Sequence, residues 1–119
     1  MTLAEFLASL DRDDDTRLFS DTLAVIDRFY GFTPTYFKNG DQENQPNQNN
    51  GSCKCFAFAL LHNLGEAQTL RLFAEHYRQV LEHPQGTDHR NIRQFMQNGF
   101  SALRFAANPL VAIASCSKD

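Results

Sequence analysis

Apolar positions along the chain recur at helical spacing in one segment after another. Leu3, Phe6, Leu7 and Leu10 fall on one face of a first short helix, and Thr2 with Glu5 supplies capping-box spacing at its start. The aspartates after Leu10 break that helix, and Asp15 or Thr16 can start the next. In this second segment Phe19, Leu23, Ile26 and Tyr30 form one stripe, and Leu18, Thr22, Val25 and Phe29 form another beside it. Two adjacent stripes make a wide apolar face, the mark of a deeply packed helix, which Gly31 ends.

Polarity then changes abruptly. Phe32-Thr33-Pro34-Thr35 reads as extended chain, because Pro34 drives the residue before it out of helical geometry. Asn39-Gly40 is a tight-turn signal, and an amide-rich stretch follows as far as Gly51. Ser52 stands where an N-cap belongs, and the helix predicted from Cys53 to about Leu64 is apolar nearly all round, which places it at the centre of the protein. Gly65 separates it from a fourth helix ending before Pro84, with Leu70, Phe73, Tyr77, Val80 and Leu81 towards the core and His76 and His83 on a solvated face.

Asp88 caps a fifth helix whose buried side is Ile92, Phe95 and Met96 and which Gly99 closes. Ser101, Leu103 and Phe105 alternate as in a short C-terminal strand, and Asn108-Pro109 has the form of a helix start. The pattern as a whole predicts an all-α fold. It describes a single domain, residues 1–119, of about five helices around an apolar central one, with a long Asn/Gln-rich loop. That loop, Asn39 to Gly51, is expected to lie over the start of the central helix as a lid with pinned ends and a mobile centre.

Composition sharpens this picture by exclusion. Hydrophobic residues make up 42% of the 119 and charged residues 21%, as in an ordinary globular domain, and eleven Phe with no Trp favour a Phe-centred core. No apolar run approaches the ~18 residues of a membrane span, and the opening lacks the features of a secretory signal. A net charge of −3 argues against nucleic-acid binding through phosphates. Residues 1–52 hold four basic and nine acidic side chains, and residues 53–119 hold seven and five, so the acidic excess lies in the first half. Three cysteines, two of them too close together to staple a loop, point to free thiols in a reducing compartment.

Four chemistries can be tested against the residues. Cys53, at the first turn of the central helix and beside Lys54, has the setting of a low-pKa thiol, with His89 and Asp88 as base and orienter. The plain alternative makes Cys53 a packing residue, Lys54 a solvated charge, Asp88 an N-cap and His89 a tie between loop and helix. Metal is not expected: Cys53 and Cys55 point nearly opposite ways on a helix, and no HxxxH, ExxH or CxxC spacing occurs. Asp41, Glu43, Gln45 and Asn47 begin like a calcium loop, but Pro46 and Ser52 stand where it needs glycine and glutamate. Ser52 and Lys54 with the facing Arg90 and Arg93 could hold a carboxylate or phosphate at the helix start. Asn39, at the pinned turn, and Asn91, beside His89, complete the candidate binding set.

The segments FTPTYFKNG, NGSCKCFAFALLHNL and TLRLFAEHYRQVLEHPQGTDHRNIRQFMQNG resemble, in that order, the HopJ family of type III effector proteins. The resemblance covers roughly Asp21 to Phe105, with Phe100 where the family pattern usually has Trp and a tail, AANPLVAIASCSKD, that has no counterpart. It implies a small bacterial protein of the cytoplasm, some members being delivered into host cells by a type III apparatus. It implies no enzymatic activity, cofactor or catalytic residue. Two functions stay open: an interaction module that binds a protein partner or a small anionic ligand, and a thiol-dependent enzyme or redox sensor centred on Cys53.

Overall fold

A computed structural model describes residues 2–113, and over these the chain is mixed rather than all-helical. Six α-helices and five three-residue strands follow one another, the strands forming two small antiparallel sheets. The helices α1 (Leu3–Ser9) and α2 (Phe19–Phe29) lead into β1 (Tyr30–Phe32), β2 (Phe37–Asn39) and β3 (Gln42–Asn44). Then come α3 (Asn50–Leu61), α4 (Glu66–Leu72), α5 (Glu75–Glu82) and α6 (Arg90–Asn98), a 3-10 turn (Gly99–Ala102), β4 (Leu103–Phe105) and β5 (Leu110–Ala112).

The all-α expectation is therefore overturned, and the cause lies in strand length and partner distance. Three residues carry too few positions to show a period of two. Each sheet also joins segments far apart in the chain. Phe32 pairs with Leu110 and Tyr30 with Ala112 in one, and Phe37 pairs with Phe105 and Asn39 with Leu103 in the other. Only β4 matches the alternation read from the sequence. At Asn108-Pro109 the expected helix start gives way to β5, anchored where Thr33 N–H donates to the Pro109 carbonyl at 2.8 Å.

The Asn/Gln-rich segment is the second correction. Half of the expected loop is a hairpin: Asn39 faces Gln42 across a two-residue turn in which Gly40 takes φ +59. A positive φ at the first turn residue suits the right-handed twist of the paired strands, and glycine adopts it without strain. Its other end has become helix, because α3 begins at Asn50 and Asn49, not Ser52, is its N-cap. The fourth predicted helix is two, which raises the count from five to six. Ala74 interrupts it at φ 54, and the N–H groups of Phe73 and Ala74 each donate three residues back, to Leu70 and Arg71. Both interrupting residues are buried, so tertiary packing overrides the local helical preference.

The central position of α3 is as expected. Cys53, Cys55, Phe56, Ala57, Phe58 and Ala59 are all buried in it, and α2, α4 and β5 pack against it. Phe56 meets Phe37 of β2, Phe73 at the α4–α5 break and Phe95 of α6, with ring centroids 6.4, 5.2 and 5.1 Å away. That aromatic cluster fixes where the hairpin and the start of α6 come to rest against the start of α3.

Candidate functional site

Four asparagines tie these elements together. Asn91, on the first turn of α6, donates from Nδ2 to Asn44 Oδ1 at 2.9 Å. Its own Oδ1 accepts from Asn39 Nδ2 at 3.1 Å and from Asn44 Nδ2 at 3.2 Å. Asn39 Nδ2 also donates to the Asn91 backbone carbonyl at 2.8 Å, and Asn49 Nδ2 donates to Asn44 Oδ1 at 2.7 Å. Asn39, Asn44 and Asn91 are buried, and such a network gives a unique arrangement because each amide supplies both a donor and an acceptor.

Beside this network the starts of α3 and α6 face each other across a cavity of about 420 Å³. Asn49, Gly51 and Ser52 line it from one side and His89, Arg90 and Asn91 from the other. Phe19 of α2, Phe73 at the α4–α5 break and His76 of α5 close it. A Cβ on Gly51 would lie 2.9 Å from Phe19 Cζ, so the absent side chain lets Phe19 close over the first turn of α3.

Both helix starts are unusual in the same way. Asn49 and His89 serve as N-caps in the left-handed region, at φ 57 and 51, and neither side chain caps its helix. The Asn49 amide turns to Asn44, and the His89 ring meets Gln79 Oε1 at 2.7 Å. First-turn N–H groups of both helices thus have no side-chain acceptor, and the positive ends of two helix dipoles converge on one space. Arg90 adds a formal charge to the lining. Burial, and then neighbouring His76, push the His89 imidazole below its usual value of 6.5, against a weaker pull from Asp88.

The residues singled out in the sequence separate into those on the cavity and those elsewhere. Ser52, His89 and Asn91 line it, and Asn39 supports it from the hairpin. Lys54 points to α2, where its ammonium bonds Asp27 Oδ1 at 2.8 Å and lies 4.9 Å from the centre of the Phe32 ring. Arg93 is spent on the loop before α6. Its guanidinium donates to the carbonyls of His83 and Asp88 and to Asp88 Oδ1 at 2.7 Å. That bond holds the Asp88 carboxyl below the usual range, and the His89 Nε2 to Asp88 Oδ2 distance of 3.9 Å is too long for base and orienter. Cys53 is 1% exposed, and burial pushes its thiol up to about 11 despite Lys54.

Sequence reasoning missed His76, Asn44 and Asn49. His76, read as solvated, is half-buried: its ring sits 4.8 Å from Phe19 and 4.9 Å from His89, and its Nδ1 is buried without a hydrogen-bond partner. Nothing in the helical pattern separates it from His83, which is exposed. Asn44 and Asn49 stood among the five asparagines from Asn39 to Asn50, and composition alone could not say which were structural. Among the described residues no group of three or more His, Cys, Asp or Glu side chains is placed to hold a metal ion, and no helix is long and apolar enough to cross a membrane.

A buried helix clasped by small sheets, with two helix starts opening on one polar cavity, defines a small mixed α/β domain with a binding-type site. The family model described as HopJ type III effector protein matches residues 3–110, and the chain belongs to that family. The match extends past Asp21–Phe105 at both ends and takes in α1 and the first residue of β5. A solved structure described as "Crystal structure of unknown function protein VPA0580" is similar to this chain at 45% identity, with a TM-score of 0.90 over 95% of each chain. No curated protein sequence matches it. Neither the family description nor that of the solved structure names a biochemical activity.

Proposed function

We propose that this protein is a binding module for a small carboxylate- or phosphate-bearing ligand held between the starts of α3 and α6. The observation that carries this reading is the pair of helix N-termini, neither capped by a side chain, opening on one cavity of about 420 Å³. Anions are stabilised at such termini by backbone N–H groups and by the helix dipole, and Arg90 adds a charge-assisted donor. Ser52 supplies a hydroxyl on the opposite wall. Inorganic phosphate and acetate, titrated against the labelled protein by NMR, are expected to shift amide signals of Gly51, Ser52, Arg90 and Asn91. Arg90→Ala should weaken binding by about tenfold, the value of one charged hydrogen bond. Shifts scattered over the surface, unaltered in that variant, would remove the reading.

The second function, a thiol enzyme or sensor at Cys53, has less support, because a buried thiol raised to about 11 carries almost no thiolate at neutral pH. Iodoacetamide at about pH 7 is expected to leave Cys53 unlabelled in the folded protein and to label it fully in denaturant. Rapid native labelling, slowed by Lys54→Ala or His89→Ala, would restore the enzyme. In either reading the protein works in the bacterial cytoplasm or, after type III export, in a host cell. Export of a reporter fused behind the first twenty or so residues distinguishes the two compartments.

A further inference from the structure

We propose that the His76–His89 pair couples anion binding in this cavity to the uptake of a proton, so that the site holds its ligand more tightly in acid. The inference rests on the binding reading above and concerns what regulates that site. Its basis is geometric. Two imidazole rings from different elements, one on the first turn of α5 and one immediately before α6, lie with centroids 4.9 Å apart on the lining of a single cavity. Their partners leave room for a proton. His89 Nε2 meets the amide oxygen of Gln79, which makes Nε2 the donor and leaves Nδ1 to gain a hydrogen. His76 Nδ1 is buried and unpartnered.

The charges around the pair decide when it titrates. From α6 and the loop before it come Arg90 on the lining, Arg93, and Asp88, whose Oδ1 is already engaged by Arg93 at 2.7 Å. From α5 comes Glu75, whose Oε1 accepts the Phe19 N–H at 2.6 Å. The α3 and β3 walls contribute Asn49, Gly51, Ser52 and Gln42, which carry no charge. Burial, and then the neighbouring His76 and Arg93, favour the neutral His89 ring in the empty site against the pull of Asp88, and two imidazolium rings this close would repel each other. An anion between them and Arg90 reverses that balance and favours the charged ring. The pKa in the complex then exceeds the pKa in the free protein, and affinity rises as pH falls from the first value to the second. Each unit of separation is worth about tenfold in affinity.

Sulfate is the probe, because its own charge stays constant across the range. The intact protein is titrated with sulfate at about pH 5.5 and about pH 7.5, and the ring protons of all four histidines are followed by NMR. Binding about tenfold tighter at the lower pH is expected. The titration of His76 or His89 should move to higher pH with sulfate present, while His62 and His83, away from the lining, stay where they were. His76→Gln should flatten the pH dependence. So should His89→Asn, chosen because asparagine tolerates the left-handed backbone there, which keeps one folded variant in hand. Equal affinity at both pH values with unmoved histidine titrations would overturn the proton coupling and leave anion binding intact. Absence of sulfate, phosphate and acetate binding at both pH values would overturn the binding reading itself.

Discussion

Phe56→Ala is expected to destabilise the protein by about 4 kcal/mol, read as a fall in the urea unfolding midpoint at unchanged slope. Phe56 has no solvent exposure and meets aromatic rings from three places that converge around the site: Phe37 of the hairpin, Phe73 at the α4–α5 break and Phe95 of α6. Truncation removes the transfer free energy of a buried ring and leaves a cavity lined by three other rings, which cannot all collapse at once. Leu61, on the same helix but 44% exposed, provides the control, and its alanine variant should shift stability by less than about 0.5 kcal/mol. Equal losses at the two positions would mean that α3 is not the centre of the core.

Asn91→Ala should cost about 3 kcal/mol, although it removes only a small polar side chain. Asn91 is 6% exposed, and its loss deletes three amide–amide hydrogen bonds: one donated to Asn44 and one accepted from each of Asn39 and Asn44. The side chains left behind are buried and cannot turn to water, so most of the desolvation penalty persists without compensation. The hairpin is also held to α6 through these contacts. Ligand affinity is therefore expected to fall along with stability, because Gln42 and Asn49 form part of the cavity wall. A loss below about 1 kcal/mol would show that the network is dispensable and that Phe37 alone seats the hairpin.

What the sequence by itself determined was the apolar and polar grammar of the helices. Thr2 and Glu5 form the capping box they spell, Gly99 ends α6, and the run from Cys55 to Ala59 is buried because no face of it could meet water. Such features are local, with cause and effect lying within a turn or two of each other. Some of the site was legible for the same reason. Ser52, His89 and Asn91 stood out as polar residues at two helix starts, and both starts do open on the cavity.

Tertiary structure alone decided the rest. The partner of Phe37 is Phe105 and that of Phe32 is Leu110, and no window short enough to show periodicity contains both members of either pair. Ala74 adopts a positive φ because burial of Phe73 and Ala74 outweighs helix propensity, which separates α4 from α5. That break lies immediately before the turn of α5 that carries His76 to the cavity, while His83, seven residues on, faces solvent. Arg93 and Lys54 read as ligand-binding charges until the positions of His83, Asp88 and Asp27 show their donors already engaged. A side chain's chemistry is written in the chain, but its partner is chosen by packing, and the function of a polar residue depends on whether that choice leaves it anything to bind.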